Sequence, residues 1–161
     1  MNLQEHIRKV LREETENIEF PFMDTKVIDD EGNPLVMYHG GSYSGGEFKG
    51  AGWFTTSKAD ATYYAKQNHG KVTKAYLIIK NPLYTGHIKH LNIKPTQDMI
   101  KSAKKRNYTG FIKIEDGYIS FIETNVGVLI ARDIGRDGVI DIHQGEILDA
   151  VIFNNNQIIL I

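Results

Sequence analysis

The sequence contains no cysteine. Disulfides and thiolate metal sites are therefore impossible, and nothing in the chain calls for an oxidising compartment. Charge of one sign is missing too. Lysine and arginine total 19 against 20 aspartate and glutamate, giving a formal net charge of −1, so no broad positive field gathers phosphate backbones. No apolar run has the length of a membrane span, and the first residues are charged instead of forming a signal-peptide core. These absences lead us to expect a cytoplasmic protein that does not engage membranes. Neither the G-x-G-x-x-G fingerprint nor a Walker loop occurs, which removes the Rossmann and P-loop readings despite abundant glycine. Internal repeats and low-complexity linkers are absent as well.

A chain of 161 residues with 41% hydrophobic content is long enough for one domain with a real core and too short for two. Leu3, Ile7, Val10 and Leu11 recur at helical spacing with Glu5, Arg8, Lys9 and Arg12 on the other face, which predicts an amphipathic helix capping a sheet. Residues 1–25 are read as that helix and a linker. Residues 26–161 form the single main domain, with a monomer as the default state.

Within that domain, 26–29 and 35–39 read as strands around the turn 30–34, Asp-Glu-Gly-Asn-Pro. A short strand is expected over 53–56, then a helix over 58–67 capped by Ser57 or Thr56. Residues 72–80 alternate as a strand that Asn81-Pro82 stops. His87 and His90 fall in a polar loop and read as solvated, with no metal site. A helix over 96–107 turns Met99, Ile100 and Ala103 inward and Lys101, Lys104, Lys105 and Arg106 outward. Residues 111–114 and 118–122 make a hairpin about Glu115-Asp116-Gly117. The apolar run 126–133 fits helix and strand equally. A turn at 135–138 opens another strand, and 149–153 and 157–161 are strands about a turn of three asparagines. Many short strands with few helices define an α+β domain rich in antiparallel sheet.

The chain is organised around 37–64. A strand ends there in His39-Gly40, and a segment containing Gly41, Gly45, Gly46, Gly50 and Gly52 leads to Trp53-Phe54 and then Tyr63-Tyr64. Glycine lets the backbone approach a ligand closely, and its density suits a loop over a cleft. A histidine at a strand end, backed by glycine and faced by aromatics, makes a pocket for a flat polar ligand.

Three segments in this order, Tyr38-His39-Gly40, Gly50-Ala51-Gly52-Trp53-Phe54 with Tyr64, and Asp149-Ala150-Val151-Ile152-Phe153 followed by Gln157-Ile158, resemble the ADP-ribosyltransferase superfamily. The branch they look like is the histidine-tyrosine-glutamate one, which includes poly(ADP-ribose) polymerases and diphtheria toxin; small phage and bacterial domains of the polyvalent-protein type are the most similar. Asp137-Gly138-Val139-Ile140 matches a strand entry common in those small members. The resemblance covers about 27–161. It implies a split antiparallel β-sandwich with short flanking helices, and NAD as co-substrate. By the same resemblance His39 holds the nicotinamide-side ribose, the Gly40 backbone pairs with the nicotinamide amide, and Tyr64 stacks on the ring, with Tyr63 as the register-shifted alternative. Trp53 and Phe54 complete the NAD pocket. Ala61 stands where the polymerases carry a serine. Asp149 occupies the glutamate position one methylene short, as in the rifampin-modifying branch, and Glu146 is the alternative acid if the register slips.

The chemistry fits these residue types. Cleaving the glycosidic bond of NAD creates an oxocarbenium-like cation, which a carboxylate stabilises as in glycoside hydrolysis. The resemblance thus implies a mono-ADP-ribosyltransferase acting on a protein or nucleic acid, and it suggests a phage effector in the host cytoplasm. An NAD glycohydrolase and a degenerate binding domain are the alternatives.

Overall fold

A computed structural model of the chain describes residues 24–41, 51–88, 91, 93–106, 113–115, 118–121 and 124–161, with only the backbone described for 113–115 and 118–121. The expected first helix lies outside the described residues, as does most of the glycine-rich segment after Gly41.

The chain first makes the turn expected at 30–34. The Asp29 carboxylate accepts from the backbone N–H of Glu31 (3.0 Å) and Asn33 (2.8 Å), and Gly32 takes φ +84°. The preceding strand is shorter than expected. Ile28 and Pro34 share one isolated bridge, because proline has no N–H to extend a ladder. The strand that follows, β1 (Met37–Gly41), starts two residues later than the apolar pattern implied.

Strand β2 (Gly52–Thr55) is followed by helix α1 (Lys58–Gln67). Ser57 caps the helix, its side chain accepting from the Asp60 N–H, and Asp60 places a negative charge in the first turn, where the helix dipole favours it. Strand β3 (Lys71–Leu77) ends before Asn81-Pro82 as expected, yet a further strand, β4 (Pro82–Gly86), begins at the proline itself, where the sequence marked only a stop. Proline is tolerated at the first residue of a strand. Leu83 and Thr85 alternate inward behind it.

Helix α2 (Gln97–Lys105) is capped by Thr96, and buries Met99, Ser102 and Ala103 while Ile100 is only partly covered. Its basic run is not wholly outward: Arg106 forms a bidentate pair with Asp133 (Nη2 to Oδ1, 2.7 Å; Nε to Oδ2, 3.1 Å), and Ser102 donates to the same carboxylate at 2.7 Å. Those bonds, the Arg106 one foremost, hold the Asp133 carboxyl down to about 2. Strands β5 (Lys113–Glu115) and β6 (Tyr118–Phe121) form the expected hairpin as a separate two-stranded sheet. The ambiguous run becomes helix α3 (Thr124–Asp133), burying Val126, Gly127, Ile130 and Ala131 at helical spacing. Strands β7 (Gly138–His143), β8 (Glu146–Ile152) and β9 (Ile158–Leu160) complete the chain, with a 3-10 turn at Asn155–Gln157.

Seven strands make one sheet in the order β4-β7-β8-β2-β1-β3-β9. Every pairing is antiparallel except β4 with β7, so the α+β, mainly antiparallel architecture holds with one parallel edge. Phe54, Met37, Leu77, Ile130, Ile140 and Ile152 are among its largest fully buried side chains. At the seam between β1 and β2 only one registered pair forms, Tyr38↔Thr55, whereas β1 and β3 share a continuous ladder from Met37↔Ala75 to Gly41↔Lys71.

Gln157, 7% exposed, joins three parts of this sheet. Its Oε1 accepts from the N–H groups of Phe153 (3.0 Å) and Asn154 (2.9 Å), and its Nε2 donates to the carbonyls of Ile78 and Asp137, both at 2.9 Å. The glutamine of the Gln157-Ile158 motif thus works here as a structural clamp. Replacing it with leucine keeps the volume and strips all four backbone groups of this partner, at about 1–3 kcal/mol for each one left buried and unpaired. We expect Gln157→Leu to lower the unfolding free energy by at least about 3 kcal/mol in urea melts, and a loss below about 1 kcal/mol would contradict the clamp.

Candidate active site

A polar row crosses the sheet in register. Thr85 on β4 pairs with Asp141 on β7, Asp141 with Asp149 on β8, Asp149 with Thr55 on β2, and Thr55 with Tyr38 on β1. Residues paired across strands point to one face, so this row defines a single polar band. Two helices cover that face on either side of its middle. α1 packs on β1 and β3, and α3 on β4 and β7. Strands β8 and β2 lie between them, and the gap over these strands is a cavity of about 430 Å³. That volume falls in the range of small-molecule pockets.

Thr55 and Asp149 form its floor, Ala61, Tyr64 and Asn68 of α1 its first wall, and Asn125 of α3 faces them. At the seam the lining is completed by Tyr38, His39, Gly40, Trp53 and Phe54. No lysine or arginine is among the described lining residues.

His39 is held by its backbone surroundings. Its Nδ1 lies 2.7 Å from the Trp53 carbonyl. A carbonyl only accepts, so Nδ1 carries the proton, and in the neutral ring Nε2 presents a lone pair. The ring also packs on Phe54 with centroids 5.4 Å apart. The two glycines that follow have separate reasons. A Cβ on Gly40 would sit 1.8 Å from the Ala61 carbonyl oxygen, so the bare backbone of β1 is what lets α1 lie against it. A Cβ on Gly41 would sit 2.8 Å from His39 Nε2, so Gly41 leaves the imidazole its place.

The sequence left two acids open, and the structure places them differently. Asp149 is on the cavity floor and partly buried. Glu146 is exposed at the start of β8, registered with His143 beside the turn, and does not line the cavity. Burial pushes the Asp149 carboxyl above the usual aspartate range; the Thr55 hydroxyl pulls the other way, and the charges of Asp141 and Asp60 add to the rise.

The aromatics divide likewise. Tyr64 lines the cavity, whereas its neighbour Tyr63, 60% exposed, meets it edge-on at 5.6 Å and does not. Trp53 is 39% exposed at the rim, and Phe54 is a core residue that touches the cavity from below. Sequence reasoning missed Asn125, Asn68, Thr55 and Asp141. None belongs to a motif, and only strand register and helix packing bring them to the site. His87 packs on His143 with ring centroids 5.2 Å apart; His90 lies outside the described residues. Among the described residues no three histidine or acidic side chains gather as a metal site, and no helix is long and apolar enough to cross a membrane.

A histidine and an acid reach one cavity from β1 and β8, the strands on either side of β2. The family model described as ADP-ribosyltransferase in polyvalent proteins matches residues 29–160, and the chain belongs to that family. No curated protein and no solved structure matches it.

The raised carboxyl of Asp149 has a consequence for stability. Its folded form holds the proton more tightly than the unfolded chain does. Stability therefore falls as pH rises from near 3.8 through the folded value, and the penalty is complete above it. Asp149→Asn removes the charge and the penalty. Thermal melts are expected to show the variant more stable than the wild type at neutral pH, with the gap closing as pH approaches 3.8; equal or lower stability at neutral pH would contradict the burial argument.

Proposed function

We propose that the protein is an NAD-dependent mono-ADP-ribosyltransferase, and that Asp149 is its working acid. The observation that carries this reading is the convergence of His39, Tyr64, Trp53 and Asp149 on one cavity in a chain of the ADP-ribosyltransferase family. The C1′–N bond of the nicotinamide riboside breaks with its electron pair going to nicotinamide, which leaves neutral. The positive charge that develops on the ribose is met by Asp149 in a partly dehydrated site, where such charge stabilisation is strongest. The acceptor's lone pair then forms the new bond to C1′, and its proton passes to the Asp149 carboxylate.

In this reading the lone pair of His39 Nε2 accepts from a ribose hydroxyl, the Gly40 backbone meets the nicotinamide amide, and Tyr64 and Trp53 hold the ring between them with Phe54 beneath. Tyr63 is left outside the clamp. The raised carboxyl is compatible with the work, because a bound cation draws it toward the charged form. We further infer that the acceptor is a macromolecule, protein or nucleic acid, and that the enzyme serves a phage or mobile element in a host cytoplasm, a reading that rests on the likeness to small phage members.

The test is incubation with labelled NAD and a bacterial lysate divided by nuclease or protease digestion. Wild-type protein is expected to release nicotinamide and leave one ADP-ribose per modified site in one of the two fractions. His39→Ala and Asp149→Ala are each expected to lose activity by a factor on the order of a hundred or more. Nicotinamide release with free ADP-ribose as the sole product would identify a glycohydrolase. NAD binding without turnover would identify a binding domain.

A further inference from the structure

The polar row does not stop at the cavity floor. Beyond Asp149 it continues to Asp141, whose Oδ1 accepts from Thr85 Oγ1 at 2.8 Å and from Thr124 Oγ1 at 2.9 Å. Thr124 is the first residue of α3, and the next residue, Asn125, is the only part of that helix lining the cavity among the described residues. Asp141 is thus bonded through one hydroxyl to the start of the helix that supplies the far wall. A short bond at a helix's first residue fixes where the helix begins and how its first turn is rotated, and so where the following side chain points.

The two walls differ in kind. The aromatic rings that suit the flat leaving group, Tyr64 of the α1 wall with Tyr38, Trp53 and Phe54 at the seam, lie on one side, where the Asn68 carboxamide donates to the Tyr64 carbonyl at 2.8 Å. Across the floor from them, Asn125 offers an exposed carboxamide with both a donor and an acceptor. If nicotinamide departs against Tyr64, as the transferase reading has it, a nucleophile attacking C1′ from the opposite side would arrive on the side of the cavity that Asn125 lines. A carboxamide oxygen can accept a hydrogen bond from a hydroxyl, amide or guanidino group and so turn that group's lone pair toward the reacting carbon.

We propose that Asn125 binds the nucleophilic group of the acceptor, and that Asp141, through Thr124, is the positioning residue that keeps Asn125 at the cavity. This assignment rests on the transferase reading above and adds to it the acceptor side of the site. In the transfer step the acceptor's lone pair forms the bond to C1′ once the C1′–N pair has left with nicotinamide, and the acceptor proton goes to Asp149. Asn125 orients the acceptor without exchanging a proton.

The experiment follows the ratio of macromolecular label to nicotinamide released, with labelled NAD and a dialysed bacterial lysate as the probe. Water competes with the acceptor for the same ribosyl cation, so a residue that holds the acceptor controls this ratio, whereas a residue serving NAD cleavage alone lowers both products together. Asn125→Ala is expected to lower the ratio about tenfold, the loss of roughly one hydrogen bond to the acceptor. Asp141→Ala, which leaves Thr124 without its carboxylate, is expected to lower it in the same direction. Asp141→Asn keeps an oxygen that can accept from Thr124, and is expected to recover the ratio relative to Asp141→Ala.

Parallel falls in label and nicotinamide for Asn125→Ala, or a ratio equal to that of the wild type, would overturn the proposal while leaving the transferase reading intact. A lower ratio in Asp141→Asn equal to that in Asp141→Ala would overturn the positioning role. If the wild type releases nicotinamide but labels nothing, the site has no acceptor and the proposal falls. If it releases no nicotinamide at all, the transferase reading falls with it.

Discussion

The bare backbone of Gly40 against the carbonyl of Ala61 sets the geometry on which the rest of the site depends. With 1.8 Å between that oxygen and the place a Cβ would take, no other residue fits without moving α1 away from β1. The helix can therefore lie directly on the strand, with Ala61 and Ala65 buried beneath it, and Tyr64 stands one turn along at the cavity wall. Were α1 lifted, the wall would leave the floor that Thr55 and Asp149 provide. His39, the next residue back along β1, depends on a second near-contact, since Gly41 leaves room for its ring while the Trp53 carbonyl fixes its tautomer. Three consecutive residues of one strand thus carry a catalytic candidate, a packing contact and a clearance.

Near this contact a partly buried carboxylate works against stability. Asp149 sits partly buried, in register with another carboxylate across β7 and β8. A fold selected for stability alone would place an amide or an apolar side chain there. The strain is contained because Asp141 is tied by two threonine hydroxyls, and because the sheet on both sides is locked elsewhere, by Gln157 at the ends of β3, β7 and β8 and by Thr25, whose hydroxyl donates to the Leu77 carbonyl and accepts from the Ile79 N–H. Buried polar groups with all their partners satisfied rigidify a structure, and here they surround the place where an acid is left under-compensated.

Much of this was legible in the sequence because it is local. The Asp-Glu-Gly-Asn-Pro turn, the Ser57 cap, the helix over 58–67 and the antiparallel pairing of β5 with β6 each depend on residues a few positions apart, and each appears, with Glu115 in the strand instead of the turn. His39, Trp53, Tyr64 and Asp149 were legible through motifs in a fixed order, and the structure brings all four to one cavity. What the sequence hid depends on register and packing. Strand β4 was missed because a proline reads as a stop until a parallel partner, β7, accepts it as a first residue. The run at 126–133 had no decisive period, and only burial of Ile130 and Ala131 against the sheet makes it a helix. Asn125 and Asp141 belong to no pattern; they join the site because β7 pairs with β8 and α3 packs on β4 and β7. The role of Gly40 was legible in part. Its lack of a side chain was read as room for a ligand, and the structure adds that the room is also taken by a helix.

The central claim is that one cavity between α1 and α3 holds NAD with its reacting carbon over Asp149. A crystal structure with an NAD analogue whose glycosidic nitrogen is replaced by carbon, and which therefore resists cleavage, tests it most directly. The expected result is a nicotinamide ring between Tyr64 and Trp53, a ribose hydroxyl on His39 Nε2, and the anomeric carbon facing the Asp149 carboxylate. An analogue bound elsewhere, or one bound in the cavity with its anomeric carbon turned away from Asp149, would contradict it.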